Sequence, residues 1–78
     1  MKIHISNLGQ QVTEDSLAVI FSTFGHVQQS EIFKDPSTGI RLACIHMPDD
    51  HQALQAVARI NGSYVNGRIL RAQAVMTA

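Results

Sequence analysis

Apolar and polar side chains alternate from Lys2 to Leu8, with Ile3 and Ile5 on one side and His4 and Ser6 on the other. A period of two is what a strand with one buried face produces. Asn7, Gly9 and the glutamines that follow interrupt it. Leu17, Ile20, Phe21 and Phe24 then recur at three-to-four spacing, which predicts a helix. Its entry is set at Thr13, whose hydroxyl can accept from the amides of the next turn. Glu14 and Asp15 sit at its positive end, and Gly25 is suited to its exit.

Alternation resumes from Val27 to Phe33, with Val27, Ser30 and Ile32 inward. Asp35-Pro36-Ser37-Thr38-Gly39 is turn chemistry, and Arg41 to Met47 supplies a further strand, so the pair reads as a hairpin. Pro48 stops that strand and Asp49-Asp50 offers a capping carboxylate. Ala53, Ala56, Val57 and Ile60 make a narrow apolar stripe whose small side chains let a helix sit close to a sheet. Asn61-Gly62 closes this helix, Asn66-Gly67 makes another turn, and Arg68 to Val75 alternates as a last strand.

The predicted order is therefore β-α-β-β-α-β, an α+β, ferredoxin-like sandwich: a four-stranded antiparallel sheet with both helices on one face and the other face open. The length of 78 residues fits one domain, 1–78, with a thin core. A hydrophobic share of 45% against 15% charged residues excludes a disordered tail, and no apolar run reaches the length of a membrane span. Six Lys plus Arg balance six Asp plus Glu, so no global field draws the chain to nucleic acid or lipid, and any basic patch must be local. The single Cys44 has no internal disulfide partner and no leader is evident, from which a soluble protein in a reducing, cytoplasmic setting is expected.

Alternation assigns the open face His4 and Ser6, then Gln29, Glu31 and Phe33, then Leu42, Cys44 and His46, and finally Arg71 and Gln73. A register slip of one residue would turn Phe33 inward. His4, Cys44 and His46 are of metal-ligating type, but no Cys-x-x-Cys or His-x-x-x-His spacing accompanies them, so neither metal nor cofactor is expected. No phosphate-binding glycine loop and no nucleophile with an identifiable base is present, and both acidic pairs fit helix starts. An enzyme is not expected.

Ile3-His4-Ile5-Ser6-Asn7-Leu8 resembles the hexamer that opens the RNA recognition motif family. Thr13-Glu14 to Leu17 with Phe21, Phe24-Gly25 and Val27 is similar to that family's first helix. Asn61-Gly62 followed by Asn66-Gly67-Arg68, Leu70 and Ala72 is similar to its C-terminal stretch. The resemblance covers Met1 to about Met76, and small single-domain bacterial-type members are nearest in form. It departs at the octamer, where Ile40 to Met47 keeps only the small Ala43 and the apolar Ile45. Leu42 and Cys44 stand at the platform positions that carry rings in the family, and His4 replaces the hexamer's ring.

What the resemblance implies is weak binding of short single-stranded RNA. His4 and Phe33 would stack on bases, and Leu42 would pack on a base or sugar, beside Cys44 and His46. Ser6 and Gln73 would hydrogen-bond base edges, while Lys2, Lys34, Arg41 and Arg71 would meet phosphates. The alternative is a protein-interaction or self-association module, including a homodimer, that uses the same face through Phe33, Leu42 and an accessible Cys44 thiol.

Overall fold

The computed structural model describes residues 1–9, 11–65 and 67–75. Strand β1 (Lys2–Ser6) leads to helix α1 (Glu14–Ser22), then to the hairpin of β2 (Gln29–Lys34) and β3 (Arg41–His46). Helix α2 (Asp50–Ile60) follows, then a short ribbon of β4 (Tyr64–Val65) and β5 (Arg68–Ile69), and finally β6 (Arg71–Val75). The main sheet is antiparallel in the order β2-β3-β1-β6, a ferredoxin-like arrangement with β3 and β1 at its centre.

The predicted caps form. Thr13 Oγ1 accepts from Ser16 N at 3.1 Å while Ser16 Oγ accepts from Thr13 N at 2.9 Å, a reciprocal box in which Ser16 takes the place of the usual Glu. Asp49 Oδ1 accepts from Gln52 N at 3.0 Å at the start of α2. The predicted turn after β2 closes through Gly39 N donating to the Asp35 carbonyl at 2.8 Å, with Gly39 at φ 74, where a side chain would be strained.

One sheet face and both helices enclose the core: Ile3, Ile5, Ala43, Ile45, Leu17, Phe21, Ala53, Ala56 and Leu70 are all buried. Because Ala53 and Ala56 are short, α2 approaches the sheet closely enough for its first turn to lie against the exit of α1. A Cβ on Gly25 would fall 2.8 Å from that of Gln52, so this position is held to glycine by the approach of α2.

Several predicted boundaries move, among them the start of β2, at Gln29 rather than Val27. Strand β1 stops at Ser6, because Asn7 takes a left-handed conformation at φ 64, which Asn tolerates better than most residues. Its Nδ2 donates to the Ile69 carbonyl at 2.7 Å, tying the end of β1 to β5. Helix α1 ends at Ser22, short of Gly25. The single last strand expected from Arg68 to Val75 is broken at Leu70, which turns fully into the core, its N–H donating to the Ser63 carbonyl and its own carbonyl accepting from Gly62 N. Arg68 and Ile69 thereby pair with β4 and the rest with β1; Asn66, expected with Gly67 in the turn before the last strand, lies outside the described residues.

Candidate nucleic-acid interface

No helix among the described residues covers the second face of the sheet, and strand register arranges its side chains in rows. The central row runs Glu31, Cys44, His4, Gln73 across β2, β3, β1 and β6. A row at one end runs Gln29, His46, Lys2, Val75. At the other end Phe33 stands opposite Leu42, and Ser6 opposite Arg71. Phe33 is therefore outward, 54% exposed, with Leu42 beside it at 46%. The register slip that would have buried Phe33 does not occur, because Ile32 takes the inward position and packs against the core.

Three of the predicted site residues, Cys44, Arg41 and Lys34, are placed otherwise than expected. Cys44 is on this face by register but only 9% exposed, so its thiol is not the accessible group expected. It sits at mid-sheet with Sγ 3.7 Å from His46 Nε2, flanked by strands on both sides. Burial raises its pKa above the ordinary value of 9.0; the positive charge of Lys2 pulls it down and the negative charge of Glu31 pushes it up. Its role in the face is an apolar floor between longer neighbours.

Arg41 belongs to the helix side of β3, with Ala43 and Ile45, because it is one residue out of step with Leu42. Its guanidinium donates to the carbonyls of Gly9 and Val12, both at 2.8 Å, and so fixes the loop between β1 and α1. These donors are committed inside the protein and do not stand on the open face. Lys34 also shares the helix-side phase, with Ile32, but as the last residue of the edge strand β2 it is exposed to solvent.

The cations of the face thus reduce to Lys2 at one end and Arg71 at the other. The short β4–β5 ribbon adds one more that the alternation argument missed. Arg68 donates to Asn7 Oδ1 at 3.3 Å and, with Arg41, Asn7, Leu8, Thr38, Gly39 and Ile40, lines a cleft of about 330 Å³. The cleft lies at the Phe33–Leu42 end of the sheet, since Ile40 and Arg41 lead directly into Leu42. The Asn-Gly-Arg turn was visible in the sequence, but assigning Arg68 to a continuous strand hid its place beside the end of β1. Glu31 is a half-buried carboxylate in the middle of a face otherwise suited to anions.

A family model described as the RNA recognition motif matches residues 3–71. Polyadenylate-binding protein-interacting protein 8 of Arabidopsis thaliana is 36% identical over 56 residues, covering 72% of this chain and 18% of that protein. A putative RNA-binding protein, RbpB, of Nostoc sp. is 32% identical over 73 residues, covering 91% of this chain and 71% of the relative. The chain spans a fifth or less of the length of the Arabidopsis relatives it matches. The crystal structure of RNA binding protein PG1 superposes with a TM-score of 0.87 over 100% of this chain and 96% of that one, at 24% identity. With strand order, uncovered face and family match agreeing over nearly the whole length, the chain belongs to the RNA recognition motif family.

Proposed function

We propose that this protein binds short single-stranded RNA on the uncovered face of its sheet, weakly and with marked salt dependence. The observation that carries the reading is the cluster at one end of that face, where exposed Phe33 and Leu42 lie in the same end row as Ser6 and Arg71. Phe33 stacks on a base, Leu42 contacts a base or sugar through dispersion, and His4 supplies a second, smaller stacking surface one row away. Ser6 and Gln73 hydrogen-bond base edges, and Lys2, Arg68 and Arg71 meet phosphates.

Weakness follows from what occupies the platform. Stacking on an aromatic ring contributes about 1–3 kcal/mol per base, so the two ring positions filled by Leu42 and Cys44 forgo on the order of 2–6 kcal/mol, roughly 30-fold to 20,000-fold in affinity. With Arg41 committed to the Gly9 and Val12 carbonyls, one expected phosphate contact is also gone. Fluorescence anisotropy with pooled short single-stranded RNAs at low salt tests the proposal. Saturable binding supports it, and the absence of binding at about 1 mM protein counts against it, since even non-specific complexes commonly reach about 10⁻⁴ M.

The Phe33–Leu42 pair also favours a second reading, an apolar patch that docks a protein partner or a second copy of the chain. The Arabidopsis relatives are named for interaction with another protein. Sedimentation across a concentration series separates the cases, because a strictly monomeric chain that shifts on adding RNA removes the homodimer.

A further inference from the structure

The carboxylate at mid-face is the feature that RNA binding does not by itself account for. Glu31 stands in the central row with Cys44, His4 and Gln73, and among the described residues no hydrogen bond or ion pair engages it. A negative group there repels phosphate, so it contributes nothing to a track for the RNA backbone. A base edge is a different matter. An ionised carboxylate is an acceptor only, with two oxygens able to take parallel hydrogen bonds.

On the Watson–Crick edge, uracil presents one N–H between two carbonyl oxygens. Cytosine and adenine each present one amine beside a ring acceptor. Guanine alone presents two adjacent donors, N1–H and the N2 amine. We infer that Glu31 is a specificity-determining residue that accepts both donors of a guanine lying flat over His4 and the Cys44 floor; this rests on the RNA-binding reading above.

The row has the shape for it. Neighbouring strands are about 4.8 Å apart, so the backbones of Glu31 and His4 are about 10 Å apart with β3 between them. Cys44 is short and buried, with His46 Nε2 3.7 Å from its Sγ, which leaves a shallow floor bordered by the His4 and His46 imidazoles and the Glu31 carboxylate. Glu31 is only partly exposed, so its side chain lies against the face rather than wholly out in solvent. With the base edge towards β2, the sugar and phosphate lie towards β1 and β6, where Lys2 and Arg71 are. Repulsion by Glu31 and attraction by these cations therefore favour the same orientation.

The test is a set of amide-shift titrations of the whole chain with the RNA pentamers UUXUU, where X is G, inosine, A, C or U. Glu31 carries no structural hydrogen bond among the described residues, so the Glu31→Gln and Glu31→Ala variants retain the fold, as their amide spectra would show. The wild-type chain is expected to bind the G pentamer about 5- to 100-fold more tightly than the U pentamer, the range of a good bidentate base contact. Inosine, which lacks the N2 amine, falls between them. Glu31→Gln removes a charge that repels all five pentamers alike, so the ratio between pentamers, and not the absolute affinity, is the readout. An amide pairs one acceptor with one donor, and the G-over-A preference therefore collapses or inverts.

Equal affinities of the wild-type chain for the G, inosine and U pentamers overturn the inference while leaving RNA binding intact. A Glu31→Gln change that scales all five alike also overturns it. Binding of none of the five overturns the RNA reading itself and this inference with it.

Discussion

Replacing Leu42 by Phe restores a ring at one of the two platform positions and asks directly whether this face receives RNA. Leu42 is 46% exposed and stands opposite Phe33, so the new ring extends over the sheet without entering the core. Stacking on a ring contributes about 1–3 kcal/mol per base, but Leu42 already supplies dispersion and the adjacent Phe33 shares the same base, which limits the gain to about 1–2 kcal/mol. That is about a 5- to 30-fold tighter complex. A cross-strand aromatic pair contributes about 0.2–1 kcal/mol relative to Ala–Ala, so the variant should unfold no earlier than the wild type. Anisotropy of a labelled short single strand at fixed salt, with a thermal melt of the free protein, measures both. A stably folded variant whose affinity is unchanged or weaker would refute the placement of RNA on this face.

Arg41→Met should lower stability by about 1–3 kcal/mol in urea unfolding, because two charge-assisted bonds to the Gly9 and Val12 carbonyls are lost; RNA affinity measured well below the melting range should change less than twofold. Removing Lys2 or Arg71 by substitution with Ala should each reduce the slope of log affinity against log salt by about 0.7, whereas removing Arg41 should leave that slope unchanged. Cys44 should react with a disulfide reagent at pH 8 much more slowly in the folded chain than in urea, since burial raises its pKa above 9.0 and depletes the thiolate; equal rates would contradict the burial. The same shift lets the folded state hold its proton more tightly than the unfolded one. Its contribution to stability is full below about pH 9 and is lost as pH rises through the higher folded value, a decline that Cys44→Ala should remove.

The elements were legible wherever one physical signal acted alone. Ile3 and Ile5 alternating with His4 and Ser6, Thr13 and Asp49 as caps, and the Ala53–Ala56 stripe all depend on neighbours within a turn or a strand, and each forms as the pattern implies. What pattern could not show was how distant pieces spend their polar groups. Nothing local to Arg41 reveals that Gly9 and Val12 present carbonyls to it, and nothing local to Leu70 reveals a core position that breaks the last strand in two. Cys44 illustrates the same limit within the site. Alternation fixes the face a residue points to, but its length and the side chains beside it, such as His46 against the Cys44 thiol, decide whether water reaches it.

The central claim, that RNA lies on the open face across β2, β3, β1 and β6, is tested most directly by mapping amide shifts during titration with mixed short single-stranded RNAs. The account predicts that the largest shifts cluster at Lys2, His4, Phe33, Leu42, Arg71 and Gln73, while the outer surfaces of α1 and α2, marked by Val19 and Leu54, stay unmoved. Shifts concentrated on those helices, with the sheet face silent, would contradict it.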